Sequence, residues 1–276
     1  MTGGIRRIIA LAASVAVVAV VSGCAGAAPA MNAASPNVPD GSAVVTIAAA
    51  ADLKFALDEI VSLAEKDDPS LKIQVTYGSS GTFLQQIQNG APFDVFLSAD
   101  LSYPQLLVDA GLASDDDLFP YAVGRLVLWV PEGSELNPAD GMSVLAEPTV
   151  RRVAIANPEH APYGKAAVAA LQTTGLYDQV SSKFVLGENV AQAAEFVQSG
   201  NADAGIVAKS LVLSDPLKEV GRWAELPLDS YPQLDQGGVI LGDAVHPDGA
   251  RAFRDVMVSD AGTAILSRYG FELPED

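Results

Sequence analysis

The segment from Ile73 to Gly90 constrains the fold more than any other stretch of the chain. Alternating residues from Ile73 to Tyr77 predict a strand. It runs into Gly78-Ser79-Ser80-Gly81, then into a helical pattern with Phe83, Leu84 and Ile87 on one face, ending at Asn89-Gly90. A strand that turns through small residues straight into a helix belongs to an alternating α/β architecture. The same turn suits an anion. The first amides of a helix have no internal partners, the helix dipole favours negative charge there, and serine hydroxyls donate beside them. The plainer reading, an N-cap by Ser79 or Ser80 with no ligand, is the one this stretch favours when taken alone.

The N-terminal residues stand apart from that fold. Arg6 and Arg7 precede an apolar run from Ile8 to Val21, followed by Val21-Ser22-Gly23-Cys24. Residues 1–23 read as an export signal with a lipobox-like end, too short and wrongly flanked for a stable membrane span. The only cysteine sits at that junction. Cys24 is therefore expected to be the lipidated first residue of the mature chain, on the outer face of the cytoplasmic membrane or in the periplasm. A disulfide within the chain is excluded, and a catalytic thiol does not belong at the end of a tether. Residues 24–42, rich in Ala, Pro, Asn, Gly and Ser, predict a flexible spacer.

Without residues 1–23, 14 Lys+Arg stand against 34 Asp+Glu, a net charge of −20. That excludes nucleic acid and an anionic membrane surface as partners, leaving membrane contact to the lipid anchor alone. It leaves a small anion open, because helix N-termini act locally and distant charges are screened over about 10 Å. Such a site has to be built from dipoles.

The length of 276 residues suits two modest lobes or one large α/β domain. Val44 to Ala50 reads as a buried strand, and Leu53, Leu57, Ile60 and Ala64 form one face of a helix just after Asp52. A strand at Val95–Leu97 and a short helix from Pro104 to Ala110 continue the alternation, which points to a largely parallel sheet. The non-alternating strand Leu126–Val130, preceded by Gly124, marks a crossing into a second lobe. There, strands at Val153–Ala156, Phe184–Leu186 and Ala204–Val207 precede helices or polar turns, and Gly237–Leu241 reads as the return strand. Helices over 248–257 and 260–267 finish the chain. The expected division is lobe 1 over 43–124 and 236–276, with lobe 2 over 125–235 inserted between two crossings. Four strand-to-helix turns, around Asp52, Ser80, Tyr163 and Val190, carry small or polar residues. Crevices at the carboxyl ends of parallel strands are where open α/β folds bind ligands. Charge-assisted bonds from converging amides contribute roughly 1.5–3 kcal/mol each, enough to hold a dehydrated oxyanion.

Several stretches, in order, resemble the molybdate-binding proteins of ABC importers over essentially the whole mature domain. They are Thr46-Ile47-Ala48-Ala49-Ala50-Ala51-Asp52-Leu53, Gly78-Ser79-Ser80-Gly81, the segment from Gly90 to Asp100, that from Asn157 to Gly164, and Arg268-Tyr269-Gly270-Phe271. The resemblance implies a type II periplasmic-binding-protein fold: two α/β lobes joined by two crossing strands, with a tetrahedral oxyanion in the cleft. It implies ligand contacts from Ala51, Asp52, Ser79, Ser80, Tyr163 and Val190, mainly through backbone amides, with a hydroxyl from Ser80. The molybdenum centre is expected as the oxyanion, reached through Asp52, Ser80, Tyr163 and Val190. It also implies a monomeric lipoprotein without cofactor that delivers molybdate, and tungstate too, to a permease and its ATPase. Another tetrahedral oxyanion (chromate, sulfate, phosphate or arsenate) is the rival within that class, and an oxyanion sensor module the rival outside it. An enzyme is not expected, because no nucleophile with a base is visible.

Asp52 and Ala208 depart from the family pattern, which often has serine or asparagine at the first position and tyrosine at the second. Asp52 is expected to cap its own helix by accepting from the amides of Lys54 or Phe55. Pairing with Lys209, as a second layer behind the ligand, and accepting a proton from a protonated oxyanion are the other two readings. His160 and His246 adjoin prolines without metal or acid/base partners and read as structural or exposed, as Trp129 and Trp223 read as core or lobe surface. Asp94 and Asp100 flank one strand and read as caps or packing groups rather than a catalytic pair.

Overall fold

The computed structural model describes residues 43–274. The export signal, Cys24 and the spacer lie outside the described residues. The chain begins with β1 (Ala43–Ala50), a 3₁₀ turn (Ala51–Leu53), α1 (Lys54–Asp67), β2 (Leu71–Gly78), α2 (Ser80–Gln88), β3 (Val95–Ser98) and α3 (Ser102–Asp109). Two strands follow back to back, β4 (Ala113–Gly124) and β5 (Leu126–Pro131). Then come β6 (Val153–Ala156), α4 (Pro162–Thr173), α5 (Tyr177–Val180), β7 (Phe184–Gly187), α6 (Val190–Gln198), β8 (Ala204–Ala208), α7 (Lys209–Val212) and β9 (Gly221–Glu225). The return strand β10 (Leu234–Leu241) leads to α8 (Pro247–Met257) and α9 (Asp260–Arg268).

These strands form two five-stranded sheets, ordered β2-β1-β3-β10-β4 and β7-β6-β8-β5-β9. In the first, β1 runs parallel to β2 and β3, while β10 is antiparallel to β3 and β4. In the second, β6 runs parallel to β7 and β8, while β5 is antiparallel to β8 and β9. The sheets are therefore mixed rather than largely parallel. The cause is the double crossing: each sheet receives in its fourth position a strand that arrives from the other lobe and enters against the βαβ direction.

Helix α1 buries Ala56, Leu57, Ile60 and Ala64 on one face, the stripe its spacing predicts. It packs against α8 and α9 on the first sheet. At the C-terminal end, Arg268 and Tyr269 both hydrogen-bond Glu59 of α1, at 2.5 and 2.6 Å, and Gly270 turns the chain with a φ of 78°. The terminal Arg-Tyr-Gly-Phe motif is thus a clasp on α1. Strand β4 has no sequence signal: Asp115, Asp116 and Asp117 project from its exposed first half, and Pro120 interrupts it. Both are tolerated because β4 is an edge strand.

Candidate functional site

Four helical starts, those of the 3₁₀ turn, α2, α4 and α6, open on one small cavity of about 10 Å³ between the sheets. It is lined by Ala50, Ala51, Asp52, Gly78, Ser79, Ser80, Ala99, Ala161, Pro162, Tyr163, Asn189 and Val190. All six residues expected at the site, Ala51, Asp52, Ser79, Ser80, Tyr163 and Val190, meet there. Ala50, Gly78, Ala99, Ala161, Pro162 and Asn189 complete the wall and were not among the expected ligand contacts. The first-turn amides of Ser80, Tyr163 and Val190 have no acceptor within their own helices. Among the described residues, no lysine, arginine or histidine lines this cavity. Any anion held here is held by dipoles.

The serine turn does not work as a plain cap. Ser79 occupies the N-cap position of α2 in an extended conformation, but its hydroxyl makes no capping bond. It donates instead to the carbonyl oxygen of His160, at 2.5 Å, and the amide of Gly81 donates to the same oxygen at 2.9 Å. The glycine is there for close approach, since a Cβ on Gly81 would lie 2.5 Å from that oxygen. Ser80 Oγ accepts from the amide of Ala99 at 3.0 Å. A hydroxyl that accepts from an amide keeps its own proton for a further acceptor. In lobe 2, α6 is capped conventionally, with the Asn189 side chain accepting from the amide of Gln192 at 3.0 Å, and Val190 is its first helical residue. Pro162 opens α4, leaving Tyr163 as its first residue with an amide to offer.

Asp52 is where the structure corrects the sequence. Its side chain makes no capping bond to Lys54 or Phe55. Lys209 does not pair with it either, because the ammonium is bonded to Glu225 at 2.5 Å and lies 5.9 Å from the Trp223 ring centroid. The carboxyl is instead 1% exposed and turned to the return strand, where Gln236 Nε2 donates to Oδ2 at 2.6 Å. Gln236 also donates to the Tyr163 hydroxyl at 3.1 Å. Asp52 Oδ1 and Gln236 Oε1 are buried without a partner. Desolvation dominates and pushes the Asp52 carboxyl up to about 6, against the bonds from Gln236 and Tyr163 and the nearby amides of Asp52 and Leu53. Burial, with the Asp52 charge behind it, holds the Tyr163 hydroxyl well above the ordinary phenol range.

This triad straddles both crossings. Gln236 belongs to β10, and on the other crossing a Cβ at Gly124 would lie 2.3 Å from the Tyr163 hydroxyl and 2.6 Å from Gln236 Nε2. Gln236 was missed in the sequence. Its one signal is a polar residue beside Gly237-Gly238 at the head of an apolar strand. Ser210 of α7 closes the cluster by donating to the Asp52 carbonyl at 2.7 Å. Ala208 is fully buried at the end of β8 and does not line the cavity.

The remaining candidates are structural. His246 starts α8, and its amide donates to Asp94 Oδ1. The His160 ring meets the Glu188 carbonyl at 3.0 Å, Asp100 accepts from the amide of Ser102 at the start of α3, and Trp129 is fully buried in the core. A larger groove lies beside Asp100, Lys165 and Asp235, but Lys165 is bonded there to the Tyr103 hydroxyl.

Two α/β lobes joined by two crossing strands, with helix N-termini facing a cleft between them, define a type II periplasmic binding protein. The chain belongs to the family described as bacterial extracellular solute-binding protein, which matches residues 45–272. It is 38% identical to the molybdate-binding protein ModA of Azotobacter vinelandii, over 84% of this chain and 91% of that one. It is 34% identical to YvgL of Bacillus subtilis, a putative ABC transporter substrate-binding lipoprotein, over 82% of this chain and 85% of that one. The solved periplasmic molybdate-binding protein of Azotobacter vinelandii superposes with a TM-score of 0.78 at 32% identity, covering 84% of this chain and all of that one.

Proposed function

We propose that this chain captures molybdate, and tungstate with it, in the cavity between its lobes and delivers the anion to an ABC permease and its ATPase. The observation that carries the reading is the cavity itself: four helical starts, the free proton of the Ser80 hydroxyl, and no cation in the wall. The names of the Azotobacter relatives support molybdate as the ligand, and that of the Bacillus relative supports lipid anchoring, here through Cys24. Backbone amides of Asp52, Ser80, Tyr163 and Val190, with those of Ala51 and Ser79 beside them, supply the donors. Their spacing, not net charge, separates molybdate from sulfate, since both are dianions. The contacts of Ser79 and Gly81 with His160 hold the lobes shut over the site, and a monomer in this closed form docks on the permease.

Isothermal titration of the mature chain with molybdate, tungstate, sulfate and phosphate tests the assignment. Saturable binding of the first two is expected. Saturable binding of sulfate without molybdate overturns it.

A further inference from the structure

We propose that Asp52 takes up a proton when the oxyanion binds, so that each dianion is captured together with one proton and lies beside a neutral carboxyl. The inference rests on the oxyanion reading above and concerns the same cavity. Three geometric facts carry it. Asp52 lines the cavity and is 1% exposed. Its Oδ2 accepts from a neutral group, the Gln236 amide at 2.6 Å, which also donates to the Tyr163 hydroxyl. Its Oδ1 is buried without any partner.

No charge in the neighbourhood offsets an ionised carboxyl. From β4 the Tyr121 hydroxyl approaches, but it donates to the Ser98 carbonyl at 2.9 Å. Tyr231 accepts from the Leu126 amide. From α7, Lys209 is committed to Glu225, and Ser210 serves the Asp52 backbone. Arg125, at the first crossing, is committed to Glu272. Lys54 of α1 and Glu195 of α6 line a separate groove between those helices.

In the free protein desolvation already lifts this carboxyl to about 6. A dianion entering the same cavity acts in the same direction, since a nearby like charge disfavours the ionised form. Above pH 6 the free protein is therefore ionised at Asp52, whereas the complex is neutral. The step balances simply: one proton leaves bulk solvent and one O–H bond forms on the carboxyl. Linkage then sets the slope. Affinity falls about tenfold per pH unit above pH 6 and levels off below it.

The test is titration of the mature chain with molybdate from pH 5.5 to 8.5, in buffers of differing ionisation enthalpy. The wild-type chain is expected to absorb about one proton per anion near pH 7.5 and to lose on the order of 100-fold in affinity between pH 6 and 8.5. Asp52→Asn, which keeps the shape without the charge, is expected to absorb none, to show no slope, and to bind more tightly than wild type at pH 8.5. Asp52→Ser answers the same question if the asparagine variant fails to fold. Saturable wild-type binding with no proton uptake and a flat profile overturns the inference alone, as does a full slope in either variant. Absence of binding to molybdate, tungstate, sulfate and phosphate at every pH overturns the oxyanion reading and this inference together.

Discussion

Asp52 and Asp94 sit on opposite ends of the same strand unit, one just past the end of β1 and one just before β3. Both are buried, at 1% and 2% exposure. Desolvation pushes each carboxyl upward, yet the outcomes are opposite. Asp94 accepts from the Thr46 amide at 2.7 Å, the Thr46 hydroxyl at 2.9 Å and the His246 amide at 3.0 Å. These bonds hold it below the ordinary carboxylate value despite burial. At Asp52 desolvation prevails: the one bond at its carboxyl is from the Gln236 amide, Oδ1 has no partner, and the group rises from 3.8 to about 6. Depth of burial and the donors that reach a carboxyl decide its charge together: desolvation outweighs the bonds at Asp52, and the bonds outweigh desolvation at Asp94. Asp94 spends its oxygens tying β1 to the start of α8, whereas Asp52 carries an unmet demand at the edge of the cavity.

The contrast is broken most decisively at Asp94. Its folded value is depressed, so its contribution to stability is present above the unfolded value and lost as pH falls through the folded one. Asp94→Ala strands the two amides and the hydroxyl, and is expected to cost about 3–5 kcal/mol in urea unfolding at pH 7. A loss below about 1 kcal/mol would mean those bonds are made to water as easily. Asp52 has the opposite sign. Its folded value is raised, so the folded state holds the proton more tightly, and stability declines as pH rises from about 3.8 through about 6. In the ligand-free protein, Asp52→Asn is expected to gain about 1–3 kcal/mol at pH 8 and little at pH 4. Equal effects at the two pH values would show that the carboxyl is not the strained group.

Much of this was legible in the sequence, and what was not has a local cause. The strand-to-helix turns at Asp52, Ser80, Tyr163 and Val190 could be read because a helix start is announced by short-range chemistry: small residues, a cap, then a stripe of apolar side chains. That the four converge on one cavity followed from the ordered family motifs. Strand β4 was hidden because an edge strand need not alternate, and its pairing with β10 is set far away in the chain, with Gly237 and Pro120, 117 residues apart, for example. The partner of Asp52 was hidden for the same reason. Nothing near Gln236 in sequence says that it meets Asp52 and Tyr163, since only the double crossing brings β10 past the cavity. The lysine that looked suited to Asp52 was nearer in kind, yet Glu225 on the neighbouring edge strand holds it.

That displaced lysine gives the smallest and sharpest test. If the difference between the two aspartates arises from desolvation and hydrogen-bond donors, removing a distant cation leaves it intact. The Lys209–Glu225 pair is partly exposed, at 20% and 41%, and such pairs contribute about 0–1 kcal/mol. Stacking over Trp223 adds about 0.5–1 kcal/mol at such a site. Lys209→Met is therefore expected to cost about 1 kcal/mol of stability, to change molybdate affinity by less than about threefold, and to leave the pH midpoint of binding in place. A cation that did stabilise the Asp52 carboxylate would hold its value down, so its loss would move that midpoint upward. An upward shift measured by titration across pH would bring Lys209 back into the electrostatics of Asp52, and the contrast with Asp94 would then depend on charge as well as on hydrogen bonds.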